Sequence, residues 1–477
     1  MLKFTRLFQK KKLLLFNLSL LFITNEATPI SATSSKNIEG SAPYLIFDGQ
    51  KSDDLSPLLT VKLPAPDGIT TITKNTNSSA NDPIILASNT KFSDIETFVK
   101  LPSENNTYPK IQLSNVLANS WGDEDGDKVN FASNNESLTL SWSDNEGHNL
   151  TEKIKKTPNI ELEPCDAPFK LTLSADQFTL RTDYGVPRDS NYQSVAHDYY
   201  FSPQVPLAVK FCYAQPNLNN QDDVDTDSWI KNKGFVTYDK NNPENNFPTT
   251  GSNNLFFDLK LAGLTVDDII RINGTNVKPI SGNGISLALS KKDGKLRVTL
   301  KGPTYTSTNT SFEPATFKLY ADSAKNNAFY SFKVQRWYIG FKDASNGYAE
   351  TLTRCQKLKY AIPDIRDFTN SNRLTSVGWN GGIPGVGEPY RRKISYKQND
   401  GKWMGGLFSE WGTVYNSYYE NSDWPKDTKN EFKVPYFWTK QLRSTNDYFV
   451  VESKTGFVGN RESSEQNYNT ACVSSGN

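Results

Sequence analysis

Between about residues 51 and 330, apolar and polar positions alternate in short runs. In SLTLSW, Leu138, Leu140 and Trp142 fall on one side. FKLTLSADQFTLR repeats the pattern with Phe169, Leu171 and Leu173, then Phe178 and Leu180. LFFDLKL puts Leu255, Phe257, Leu259 and Leu261 together. The clearest pair is ISLALSKKDGKLRVTL. There Ile285, Leu287 and Leu289 run out, Asp293-Gly294 supplies a two-residue turn, and Leu296, Val298 and Leu300 return on the same side. A period of two buries one face and wets the other, so many such runs between Gly, Asn and Asp turns predict β-sandwich modules. No long stretch of this region keeps the 3.6 period of a helix.

The texture changes near residue 330. YSFKVQRWYIGF predicts an aromatic strand. GYAETLTRCQKLKY then spaces Tyr348, Leu352, Cys355 and Leu358 along one helical face. PDIRDFTNS, opened by Pro363, predicts a second short helix. Loops dense in Gly, Trp and Tyr follow, and the chain ends on the strands PYFWT, DYFVVES, GFVGN and NYNTACV. The division that follows is a β-sandwich-like region over 33–160, a second β region over 161–247, a third module over 248–329 and an α+β module over 330–477.

Composition fits a mainly β chain. Of 477 residues 36% are hydrophobic and 12% aromatic, with a mean hydropathy of −0.60. The formal net charge of +1 hides a basic start, since Lys3, Arg6, Lys10, Lys11 and Lys12 face Glu26 alone. The rest is mildly acidic and has no basic face for phosphate backbones, so nucleic acid is not an expected partner. The basic stretch runs into an apolar one, Leu13 to Ile23, with small residues at Ala27, Ser31 and Ala32. That stretch is short for a bilayer span and suits a signal peptide, assigned to residues 1–32. The mature chain is expected to have no transmembrane segment and to be at the cell surface, secreted or periplasmic.

Export makes disulfides the expected state of the four cysteines. No C-x-x-C spacing occurs and the only histidines are His148 and His197, so zinc is not expected. Four cysteines allow three connectivities. Cys165–Cys212 and Cys355–Cys472 are preferred because each pair closes within one candidate domain.

CQKLKYAIPDIRDFTN, GLFSEWG, YFWT, YFVVESKTGFV and ACV resemble the C-terminal module of enterobacterial adhesins of the intimin–invasin group. The stretch from FPTTG to VTLKGP is similar to the bacterial Ig-like module before it in such proteins, and WGDEDGD to their repeats. The resemblance implies tandem Ig-like β-sandwich modules followed by an α+β C-type lectin-like domain, with a first-helix cysteine bonded to a last-strand cysteine. It implies adhesion to a host cell-surface glycoprotein or glycan and no reaction. Those adhesins carry an N-terminal outer-membrane β-barrel that has no counterpart here, so display by that route is not expected, and secretion, a periplasmic location or attachment through a partner are the alternatives.

Calcium-dependent sugar binding is not expected in the last domain, because Glu388 in GEPY lies too far from Cys472 and no W-N-D follows on DYFVVES. The better contact candidates are in YNSYYENSDWP, a turn-rich loop without alternation: Tyr418, Tyr419, Asp423 and Trp424. GDEDGDK sets Asp123, Asp125 and Asp127 at alternate positions around Gly126. It starts like a calcium loop but lacks the glutamate at position twelve, where Asn134 stands, so a solvated acidic turn competes with a weak structural calcium site. Neither histidine adjoins a nucleophile motif. The expected function is that of a non-enzymatic adhesin. The alternatives are an accessory or structural protein that binds another bacterial component and, less favoured, a carbohydrate-active enzyme.

Overall fold

The computed structural model describes residues 40–65, 68–101, 107–205, 209–217, 228–345, 347–374, 377–386, 391–394, 396–397, 406–426 and 435–474. The signal-peptide assignment over 1–32 and Glu388 lie outside the described residues. The chain is mainly β and divides into two compact units, residues 1–77, 94–141 and 172–198 in one and 78–93, 142–171 and 199–477 in the other.

The first unit is discontinuous where the sequence suggests contiguous modules. Its pairing joins segments far apart in the chain: Phe178–Thr182 lies antiparallel to Asp189–Tyr192 on one side and to Val129–Phe131 on the other. Tyr44–Phe47 pairs with Gln50–Ser52 and Trp121–Gly122. The Tyr192 hydroxyl accepts a hydrogen bond from the Leu45 amide at 3.0 Å.

In the second unit, Lys210–Gln215 (β1) is followed by Trp229–Ile230 (β2), Gly234–Phe235 (β3) and Thr250–Ser252 (β4). Phe256–Ala262 (β5) leads into the helix Val266–Asn273 (α1). Next come Asn276–Val277 (β6), Ser281–Asn283 (β7), the hairpin Ser286–Lys292 (β8) and Lys295–Lys301 (β9), and the pair Glu313–Tyr320 (β10) and Ala328–Val334 (β11). Arg336–Ser345 (β12) precedes three helices, Tyr348–Leu358 (α2), Ile365–Phe368 (α3) and Leu407–Trp411 (α4). Tyr436–Ser444 (β13), Asp447–Glu452 (β14), Val458–Glu462 (β15) and Tyr468–Val473 (β16) complete it.

Strands in the order β2-β3-β1-β5-β9-β8-β6 make a seven-stranded sheet, β7-β10-β11 a three-stranded one, and β4-β12-β16-β13-β14-β15 a six-stranded one. The β8–β9 hairpin forms as its pattern dictates. Asp293 and Gly294 both take positive φ, 48° and 75°, and Leu287 faces Leu300 while Leu289 faces Val298, all four buried. Facing residues of the first two sheets meet, as in the edge-on contact of Phe257 with Phe332 at 5.8 Å.

Strand β11 pairs with β10 along its length, so the cut expected at 330 falls inside a strand, and the six-stranded sheet starts with β12. That sheet also takes β4 from upstream, in parallel with β12. One apolar core therefore runs from Ala214 to Val473 through both parts. Burying both on a shared core removes more apolar surface from water than two separate small domains would.

Helix α2 ends at Lys359 in left-handed conformation, φ 59°. It turns Thr351, Cys355 and Leu358 inward, and Leu352 is exposed rather than on the buried face. The Thr351 hydroxyl is held by Ser345 Oγ at 3.0 Å and Thr470 Oγ1 at 2.9 Å, which removes the penalty for burying it. Cys355 is bonded to Cys472 on β16 across 117 positions of sequence, and Cys165 to Cys212 on β1. Helix α3 opens on a capping box in which Asp364 and Asp367 serve each other's backbone amides.

Candidate functional site

The loop that follows α4 was the expected contact surface, and the structure turns its largest aromatics inward. Tyr419 and Trp424 are fully buried. The Tyr419 hydroxyl donates to the Trp411 carbonyl at 2.9 Å and accepts from the Asn217 amide at 3.1 Å. Trp424 packs edge-on against Phe437 at 5.4 Å, and its indole N–H donates to Ser252 Oγ at 3.1 Å. It also lies against Gly340, where a Cβ would come within 3.0 Å of the ring. These two residues are packing groups, because the loop lacks strands of its own and is fixed by what it buries. Tyr418 is half-buried, stacks on Tyr415 at 5.8 Å and offers its carbonyl to Asn217 Nδ2 at 2.9 Å.

Asp423 differs. Its carboxylate is 16% exposed and lies 3.9 Å from Lys342 Nζ. Burial pushes its pKa up, and Lys342 pulls part of the way back. Lys342 belongs to an irregular stretch of β12. Between the pairs Gly340–Ala471 and Ala344–Asn469, three residues of β12 lie opposite one of β16. Nearby, β13 meets β16 at the single pair Phe437–Asn469. At this place the surface opens into a groove of about 930 Å3.

Among the described residues, four charged side chains line the groove: Lys342, Lys426 and Arg461, with Asp343 the one carboxylate. Tyr436 and Tyr468 form aromatic wall, and the carboxamides of Gln466 and Asn467 add donors and acceptors. Trp424 borders the groove from beneath but is itself buried. Arg461 is held at several points. Its guanidinium lies 5.3 Å from the Tyr468 ring centre and 5.7 Å from that of Tyr436. Nε donates to the Tyr468 hydroxyl, and Nη1 donates to the Asn460 carbonyl at 2.7 Å. Glu465 Oε2 stands 3.6 Å from Nε.

Of the four expected contact residues, Trp424 is in the groove's lining and Asp423 pairs with Lys342 without lining it; Lys342, Lys426 and Arg461 were not anticipated. Nothing in their local patterns joins them. The strand register brings 342 and 461 to one place, and the inward turn of Trp424 brings 426. The polar run RESSEQN before β16 is the one sequence feature that marks this edge.

The acidic turn does not form a metal site. Asp123 Oδ1 accepts from the amides of Asp125 at 2.9 Å and Asp127 at 3.1 Å, and Asp125 Oδ2 accepts from Ser41 Oγ at 2.8 Å. The carboxylates serve the backbone instead of converging, and among the described residues no group of three His, Cys, Asp or Glu could hold an ion. The residues present do not fit the weak calcium site that competes, in the sequence, with a solvated acidic turn. Among the described residues no helix is long and apolar enough to cross a membrane.

No family model matches the chain, and no curated protein matches it. One solved structure that aligns with it is that of invasin, described as a bacterial integrin-binding protein, at 14% identity and a TM-score of 0.31; the alignment covers 72% of this chain and 58% of that one.

Proposed function

We propose that this protein is an exported, non-enzymatic adhesin whose groove between β12, β13 and β16 receives a ligand on another surface. The observation that carries the reading is the groove itself. Cations, tyrosines and carboxamides converge there on a part of the chain fixed by the Cys355–Cys472 disulfide and the shared core. Convergent polar groups on a rigid scaffold favour binding, because little freedom is lost when the ligand arrives. Two disulfides support an oxidising, extracytoplasmic location. The lectin-like and Ig-like labels, and the host as the source of the ligand, belong to this proposal.

The test is adhesion of the whole folded chain to cultured host cells, compared with a Lys426→Glu variant. Lys426 is exposed and forms no ion pair among the described residues, so reversing its charge leaves packing intact. Wild-type binding that the variant loses supports the proposal. Equal binding by both, or binding to bacterial but not host surfaces, refutes it.

A further inference from the structure

We infer that the groove takes a glycan that bears a carboxylate, with Arg461 and Lys426 receiving the acid group and Gln466 and Asn467 the sugar hydroxyls. The inference rests on the adhesin reading for its setting and goes beyond it in naming the ligand's chemistry.

Three observations carry it. The first is the direction of charge. Among the described lining residues, three cations and one carboxylate face the groove. The acids that pair with two of the cations, Asp423 with Lys342 and Glu465 with Arg461, are not part of its lining. Asp423 is largely buried and Glu465 is exposed outside the lining, so the described lining keeps an excess of positive charge, and Lys426 has no ion-pair partner among the described residues. An anion is drawn to such a face.

The second is the state of Arg461. Two tyrosine rings and the Tyr468 hydroxyl fix its plane, and among the described residues Nη2 makes no hydrogen bond. A guanidinium fixed in this way has lost its rotamer freedom beforehand and still has donors to offer. Its planar fork matches a carboxylate with two parallel hydrogen bonds.

The third is the wall. Among the described lining residues there is no Leu, Ile, Val, Met or Phe. A peptide partner is normally anchored by aliphatic or aromatic side chains in desolvated pockets, whereas the apolar part of the described lining is Ala344, Pro425, Pro435 and the already buried Trp424. Tyrosine faces, carboxamides and charged groups are instead the complement of a molecule covered in hydroxyls. The side chains of Gln466 and Asn467 are exposed and make no hydrogen bond among the described residues. A volume of about 930 Å3 is at the upper end for small-ligand sites and suits more than one sugar ring.

The experiment is calorimetric titration of the full chain with sialyllactose, a glucuronic-acid-containing tetrasaccharide and lactose. At least one acidic probe should bind about tenfold or more tightly than lactose, and which one does so tells a sialic from a uronic acid. Lys426→Gln should weaken the acidic probe about threefold, as an exposed charge contact does. Arg461→Lys, which keeps the charge and loses the fork, should weaken it about tenfold. The melting temperature of each variant reports its fold, and Lys426→Gln, which loses no ion pair among the described residues, decides the matter if Arg461→Lys is unstable. Lactose binding as tightly as the acidic probes, or acidic binding unmoved by Lys426→Gln, overturns the inference. If no glycan binds while adhesion to cells still falls with Lys426→Glu, the glycan inference fails and the adhesin reading stands. If adhesion is indifferent to Lys426→Glu, both fail.

Discussion

Glu410 is a carboxylate at 4% exposure in the interior of the second unit. Helix α4 carries it, and its hydrogen-bond partners among the described residues, Thr249 and Thr250, are at the start of β4. Oε1 accepts from the Thr249 amide at 3.0 Å and its hydroxyl at 2.5 Å. Oε2 accepts from the Thr250 amide at 2.8 Å and its hydroxyl at 2.6 Å. The neighbouring Trp411 indole donates to the Thr250 carbonyl at 3.1 Å. This cluster fastens the segment entering β4 to the C-terminal part of the chain. In Glu410→Ala, the two hydroxyls can turn elsewhere and the two backbone amides cannot. Each stranded amide costs about 1–3 kcal/mol, and relief from burying a charge offsets part of that. A net loss of about 3 kcal/mol follows, or about 4–5 °C in melting temperature for a cooperative body of this size. Glu410→Gln keeps one oxygen but aims an N–H2 at the other backbone amide, so its loss is smaller, about 1–3 kcal/mol. Urea unfolding followed by tryptophan fluorescence measures both, since Trp411 lies next to the site. A loss under about 0.5 kcal/mol in Glu410→Ala would refute the fastening role.

The same carboxyl gives a pH prediction. Burial pushes its pKa above the ordinary value, against the pull of the four donors from Thr249 and Thr250. A folded pKa above the unfolded one stabilises the fold below the unfolded pKa, and that contribution is lost as pH rises through the folded pKa. The stability gap between wild type and Glu410→Gln should therefore narrow from mildly acid to neutral pH, as seen in urea midpoints; a gap that widens contradicts it. Replacing both Cys355 and Cys472 by serine should cost about 3–5 kcal/mol, because the bond closes a long loop, and thermal unfolding would register it. Gly406→Ala places a Cβ 1.6 Å from the Asp367 carbonyl oxygen, so α3 and α4 must separate. At least about 2 kcal/mol should be lost in chemical unfolding, and an unchanged midpoint would be inconsistent with that contact. Excess calcium, or a chelator, should leave the melting temperature unchanged, since Asp123 and Asp125 are engaged with the backbone and Ser41; a calcium-dependent rise would restore the metal reading.

Where local pattern decides the outcome, the chain can be read directly. The β8–β9 hairpin needs only alternation and an Asp-Gly turn, and both are visible in ISLALSKKDGKLRVTL. Helix α2 shows where this stops. Its extent is legible, yet its inner face is drawn by Thr351 and not Leu352, because Ser345 and Thr470 satisfy the hydroxyl from outside the helix. The loop after α4 is opaque for the opposite reason. Without periodicity, nothing in YNSYYENSDWP tells an aromatic that stacks on a ligand from one that fills the core. The groove is hidden most deeply, since it depends on two extra residues in β12 and on pairing between β13 and β16 at a single residue pair.

These losses of legibility share a cause that bears on function. In the loop after α4 the aromatics supply the burial that fixes the backbone, with Tyr419 against Phe256 at 5.2 Å and Trp424 against Phe437. Once Trp424 is seated, Pro425 follows it into the protein and Lys426 is left at the rim. Seating the indole thus sets the position of the charge two residues on, at the edge of a groove whose opposite wall is β16. Arg461 is set in the same manner by Tyr436 and Tyr468. Position comes from packed rings, buried in the loop and half-buried beside Arg461, and chemistry from the polar residues next to them, so the two can be altered separately. Substitution of Trp424 should abolish fold and binding together, whereas substitution of Lys426 should change which ligand is held and leave the melting temperature where it was.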